Sequence, residues 1–283
     1  MAIDLEFLHS LDRLKLILKK KVHSDYQGDR ESHSFGSGLQ FKDFREYVPG
    51  DDFRHIDWRV YARTDKFFIR RFEEERNLQV HILVDNSGSM GYGKGITKFE
   101  YASMIGLGFG HIAYRNNEKF NLATFSTEAE PLRASRGAGQ VLSMAQALSE
   151  MKIVGRSNLL SSMDSYRKMV RSRALLVFIS DFLYPLDEIR EVLQRYRKSE
   201  LFLVQVLDPV ERELSIEGDV FLEDSESHTK MRTYISQRLK KSYQDKLDTH
   251  IFAIKDMCEH AGAAFVCVTT DTPIFETFYH ILS

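Results

Sequence analysis

A chain of 283 residues with 43% hydrophobic and 28% charged side chains has the composition of an ordinary soluble globular protein, long enough for one large domain with an appendage. Its formal net charge of −2 argues against general affinity for nucleic acid, which needs a basic footprint. No apolar run reaches the ~18 residues of a membrane span and no signal peptide precedes the fold; with only two thiols, Cys258 and Cys267, outside any metal-ligand spacing, a cytoplasmic location is expected.

In chain order, Leu5, Leu8, Leu11, Leu14, Ile17 and Leu18 fall roughly on one face of a helix, followed by Lys19, Lys20 and Lys21. The stripe is expected to pack on the body of the protein, with association of residues 4–21 with an anionic membrane surface as the alternative. Residues 22–38, rich in Gly and Ser, read as a loop or linker. From Leu39 to about Phe72 the chain is dense in aromatics and paired charges, with strand-like pieces such as Lys66 to Arg71. Residues 1–76 are therefore expected to form a small β-containing appendage packed on a main domain at 77–283.

From Val80 onward, strands and helices alternate as in a doubly wound, mostly parallel sheet. Val80, Ile82, Leu83 and Val84 form the apolar run of a central strand covered on both faces. The first helix should begin at Thr97, where Thr97 and Glu100 fit a capping box, and end near Asn116 and Asn117. Strands are predicted at Lys119 to Phe125, Ala174 to Ser180, Leu201 to Leu207 and Ala264 to Val268. Helices are predicted at Gly139 to Glu150, Leu159 to Val170, Leu186 to Tyr196, Gln244 to His260 and after Pro273. Residues 208–235 break the alternation, with Asp219 to Asp224 and Thr229 to Tyr234 reading as an inserted hairpin.

The first sheet strand ends in Asp85, with Ser87 and Ser89 at alternate positions beyond it. Open α/β sheets place ligands just past the carboxyl ends of their strands. One carboxylate and two hydroxyls there suit a hard divalent cation that keeps water in its shell, Mg²⁺ first, with Mn²⁺ or Ca²⁺ as substitutes. This D-x-S-x-S pattern resembles the metal-ion-dependent adhesion site of von Willebrand factor A domains. The resemblance implies two further ligands: Ser157, in the GRSNL stretch before a helix, matches the threonine position, and Asp181, after the strand Ala174 to Ser180, matches the later aspartate. Two departures stand out, Arg156 in place of a glycine and serine in place of threonine. Taken singly, the serines and Asp181 could equally cap turns.

Enzymatic readings of the same loop fit less well. Gly88 to Lys94 has the G-x-x-x-x-G-K outline of a phosphate-binding loop, but Gly95 follows where a hydroxyl is needed and the helix starts late. A haloacid-dehalogenase-like phosphotransferase needs a second carboxylate two residues after the aspartate, where Ser87 stands. No G-x-G-x-x-G follows any strand.

Residues 38–63 carry the only Trp and an alternation of charges, with Arg54, Asp57, Arg59 and Arg63 among Phe53, Ile56, Trp58 and Tyr61. They form either a structural network of Arg–carboxylate pairs or a docking surface. The motif Y-V-P-G-D-D-x-R-x-I-D-W-x-x-x-A-R upstream of a D-x-S-x-S strand closely resembles the bacterial domain of unknown function 58 family, as do Asp208-Pro209, Glu211 and Glu213-Leu214. That resemblance implies a von Willebrand factor A-like fold and association with a MoxR-type AAA+ ATPase in assembling or activating other proteins. The expected function is a non-enzymatic adaptor. It would bind an acidic residue of a client through a metal at Asp85, Ser87, Ser89, Ser157 and Asp181. Two alternatives are a metal-dependent hydrolase or phosphotransferase at the same site, and a vestigial site with docking through the Arg–Asp segment.

Overall fold

The structure is a computed structural model that describes residues 11, 39–48, 50–74, 79–93, 95–132, 139–153, 155, 157–170, 174–216, 218–223 and 230–282. The amphipathic helix expected at 4–21 (Leu11 apart), the linker at 22–38 and Arg156 lie outside these residues. The chain divides into two compact units, Gln27–Asn77 and the remainder.

In the smaller unit, β1 (Leu39–Glu46) and β2 (Phe68–Glu74) form an antiparallel pair, with a 3₁₀ turn at Phe53–His55 and the short α1 (Trp58–Thr64) between them. The acids of the long motif shape this connection. Asp52 accepts a hydrogen bond from the Arg54 N–H at the start of the 3₁₀ turn, and Asp57 accepts from the N–H groups of Arg59 and Val60 at the start of α1. Asp51 pairs with Arg45 at 2.8 Å and also accepts from the Val48 N–H. Tyr61 stacks on Phe67, and Trp58 meets both rings edge-on. Trp58 itself remains exposed.

The larger unit is built on a six-stranded sheet of β3 (Gln79–Asp85), β4 (Lys119–Phe125), β5 (Ala129–Pro131), β6 (Ala174–Ser180), β7 (Glu200–Leu207) and β10 (Ala264–Thr269). The order is β10-β7-β6-β3-β4-β5, parallel throughout except for the antiparallel edge strand β5. This is the von Willebrand factor A-like arrangement that the motif implied: a mostly parallel sheet with helices on both faces. Alternation along the strands sorts the core into two layers. Ile82, Val84, Val177, Ile179, Val204 and Val206 face α2 (Lys98–Arg115), α3 (Gln140–Glu150) and α8 (Ile274–Leu282). Leu83, Leu176, Phe178, Leu201 and Leu203 join the layer of α4 (Leu159–Tyr166), α5 (Leu186–Arg195) and α7 (Gln237–Ala261). Leu11 is buried with the first layer.

Outside the main sheet, α6 (Pro209–Glu213) precedes an antiparallel pair, β8 (Gly218–Glu223) and β9 (Lys230–Ile235). Helix α7 begins at Gln237, seven residues before the expected Gln244, because Ser236 caps it by accepting from the Leu239 N–H. Its opening turns, QRLKKSYQ, are too polar to show an apolar period. The chain leaves β3 toward β4 on one side and places β6 on the other. The carboxyl end of β3 therefore lies where the winding reverses, the position that holds ligands in open α/β sheets.

Candidate metal-ion site

Asp85 is the last residue of β3 and is fully buried. Its Oδ1 accepts the Ser87 N–H at 2.8 Å, which turns the chain into the 3₁₀ segment Gly88–Gly91. Ser87 stands at the N-cap of that segment, yet its hydroxyl makes no capping bond. It lies instead 3.2 Å from the hydroxyl of Ser89. The turn-capping explanation therefore fails for Ser87.

Ser157 sits just ahead of α4, whose N-cap is the neighbouring Asn158. The loop is pinned to the end of β4, since the Asn158 N–H and the hydroxyl of Ser162 both donate to the Ser126 carbonyl, at 2.8 and 2.6 Å. Asp181 directly follows β6, is 3% exposed, and accepts the Leu183 N–H through Oδ1.

Four further residues complete the cluster, none of them singled out as ligands by the sequence. Ser180 and Tyr184 donate their hydroxyls to Asp85 Oδ2 at 2.6 and 2.7 Å. The Tyr184 hydroxyl is also 2.6 Å from Ser157 Oγ. Lys98, the first residue of α2, extends its ammonium to Asp181 Oδ2 at 2.9 Å and to Glu211 Oε1 at 2.8 Å, with no exposed surface. Glu211 in turn closes the capping box of α6 on the Asp208 N–H. The sequence held two signals for this group. The Thr97–Glu100 box, which does form, fixes where Lys98 starts its helix, and a lysine in a first turn opposes the helix dipole unless acids meet it. Glu211 belonged to the downstream family pattern.

The electrostatics follow from burial. Desolvation, then the charge of Asp181, push the Asp85 carboxyl up to about 6, against hydrogen bonds from Ser180 and Ser87. Burial also pulls on the Lys98 ammonium, but Asp181 and Glu211 together outweigh it and hold the proton above the ordinary lysine value. Burial keeps the Tyr184 phenol protonated.

The structure thus gathers Asp85 and Ser157 around one point, places Ser87 and Ser89 side by side next to Asp85, and ties Asp181 to Lys98. Among the described residues no three His, Cys, Asp or Glu side chains cluster as metal ligands, so an ion here would depend on hydroxyls. All five donors are hard oxygens and in type they fit a cation of the Mg²⁺ class. Each already has a protein partner, with Lys98 and Tyr184 the principal ones.

The chain is 28% identical over 267 residues to an uncharacterized protein of Mycobacterium tuberculosis, covering 93% of this chain and 84% of that one, with the same figures for an uncharacterized protein of Mycobacterium bovis. Among solved structures it is similar to an aerotolerance-related membrane protein from Bacteroides fragilis (12% identity, 72% of this chain and 98% of that one, TM-score 0.45). It is also similar to the SpRpn10 VWA domain (12% identity, 72% and 94%, TM-score 0.42). A zinc-occupied proximal thread matrix protein 1 from the mussel byssus aligns as well (10% identity, 73% and 47%, TM-score 0.38). Residues 43–251, the greater part of the chain, match the family described as protein of unknown function DUF58, and the chain belongs to that family.

Proposed function

We propose that this protein is a non-enzymatic adaptor. Asp85, Ser87, Ser89, Ser157 and Asp181 would hold a divalent cation, Mg²⁺ in the cell with Mn²⁺ or Ca²⁺ able to substitute, and through it bind an acidic side chain of a client protein. The observation that supports this reading most is the convergence of Asp85 and Ser157, from distant parts of the chain, on one hydroxyl oxygen at the carboxyl end of the central strand. The ion, when bound, supplies an electrophilic point for a carboxylate. Lys98 already neutralises Asp181, which leaves the ligand set poor in negative charge and the ion receptive to an external acid. The family resemblance supports a MoxR-type AAA+ ATPase as the machine with which the adaptor works in assembling or activating its client. No helix among the described residues is long and apolar enough to cross a membrane, and a cytoplasmic location is part of the proposal.

Affinity capture from native lysate in Mg²⁺, in EDTA, and with Asp85→Ala tests the reading. A client retained only with Mg²⁺ and the intact aspartate is the expected result. Retention under all three conditions moves the interface to the segment at 38–63 and ends the metal-dependent reading. A hydrolase would need a nucleophile or base in the cluster, and both oxygens of the candidate carboxylate, Asp85, already accept hydrogen bonds, from the Ser87 N–H and from the Ser180 and Tyr184 hydroxyls. Lys98 is protonated and enclosed, and the phenol of Tyr184 is held protonated. Phosphate-ester and peptide substrates are accordingly expected to show no turnover with Mg²⁺ or Mn²⁺ present, and turnover lost in Asp85→Ala would replace the adaptor with an enzyme.

A further inference from the structure

We propose that Tyr184 is a built-in competitor for the cation: its phenol oxygen occupies the point shared by Asp85 and Ser157, and an ion binds only by displacing it. The inference rests on the metal-binding reading above and adds what controls it.

The distances carry the argument. The Tyr184 oxygen is 2.7 Å from Asp85 Oδ2 and 2.6 Å from Ser157 Oγ. Magnesium needs its ligands at about 2.0–2.1 Å. A phenol that keeps its proton and donates it to Asp85 Oδ2 is a poor ligand, so an ion drawing on Asp85 Oδ2 and Ser157 Oγ from the side the phenol holds must take its place.

The loop that presents Tyr184 is strained at its base. Phe182 has φ 49°, in the left-handed region that a bulky side chain rarely adopts and that stores backbone strain. Its ring is buried, its N–H donates to Ser180 Oγ at 3.0 Å, and its carbonyl meets His250 Nε2 at 2.9 Å. Those contacts anchor the base of the loop. Beyond them Leu183 is 47% exposed and Pro185 is exposed too, so Tyr184 is a partly buried side chain between two surface positions. Its ring also packs against the layer of α4, α5 and α7, so displacement gives up those contacts as well.

Displacement costs one hydrogen bond between hydroxyls and one to a carboxylate, and Tyr184→Phe removes that cost. Calorimetric titration of Mg²⁺ and Mn²⁺ into the full chain should show Tyr184→Phe binding roughly tenfold to a hundredfold more tightly than the unaltered protein. Asp85→Ala should bind neither ion. Equal or weaker binding by Tyr184→Phe, with the unaltered protein still binding, overturns the competitor and leaves the metal site standing. Absence of binding by both overturns the two together.

A second measurement needs no variant. Tetranitromethane attacks exposed, ionisable phenols, and nitration of Tyr184, located by mass spectrometry, should rise when Mg²⁺ saturates the unaltered protein. Nitration unchanged or reduced at saturation overturns the proposal.

Discussion

The ammonium of Lys98 is enclosed with two carboxylates, the Asp181 side chain 4% exposed and that of Glu211 23% exposed. Enclosing such charges is expensive, and their attraction offsets the cost only while every partner is present. The triad joins the start of α2, the end of β6 and α6, so it fixes the loop that carries Asp181. Lys98→Met, close in length but uncharged, should lower stability by about 3–5 kcal/mol, because it leaves two carboxylates confined without a counter-charge. Urea denaturation measures this, and a loss below ~1 kcal/mol would mean that water already solvates the acids. At this scale the sequence was informative where spacing along the chain sets the chemistry, as for Asp85, Ser87 and Ser89. It was silent on Ser180 and Tyr184, because a hydroxyl reaching the end of another strand leaves no local pattern. The parallel register pairs Val84 with Ile179, so the residues just beyond, Asp85 and Ser180, end as neighbours, and only the pairing reveals it.

Secondary elements were legible in proportion to their burial. Strands β4 and β6 occupy the residues expected, since their β-branched and aromatic runs end abruptly in polar residues. The edge strand β5 escaped notice because three residues, Ala-Glu-Pro, carry no period. Helix α2 shows why a glycine-rich helix belongs at the centre of this fold. A Cβ built on Gly108 would lie 2.2 Å from Cζ of Phe278 in α8 and 3.1 Å from Leu11 Cδ1. The missing side chain is what allows the two helices to close. Intrinsic propensity favours Gly108→Ala by about 1 kcal/mol in a helix interior, whereas forcing a methyl into a filled core costs about 1–3 kcal/mol. Because the ring tip it meets is fully buried, the clash should win, giving net destabilisation of up to about 2 kcal/mol. Phe278→Leu in the same chain should recover part of the loss by making room. A thermal melt in which Gly108→Ala is more stable than the unaltered protein would show that the ring of Phe278 moves aside freely.

For the whole molecule, the alternation of strands and helices from Val80 onward placed the main domain, but it gave no means of deciding where the N-terminal residues belong. Amphipathic periodicity says that Leu11 wants an apolar neighbour without saying which one. The structure answers for that residue: Leu11 is 1% exposed and packs in the layer of α2 and α8, within the larger unit. The domain expected at 77–283 therefore lacks one of its own core side chains. Because Leu11 touches the space left open by Gly108, its removal would leave a void between two helices that cannot approach further. Truncation to alanine at a site that cannot collapse costs about 2–5 kcal/mol. Leu11→Ala should accordingly lower the unfolding free energy by about 3 kcal/mol in urea, within the range for large-to-small core substitutions. A chain beginning at residue 77 should be destabilised by at least as much, and should expose the ring of Phe278 along with Phe109, which packs beside it. Equal stability of the full chain and the 77–283 fragment would show that the N-terminal residues contribute nothing to the core of the larger unit.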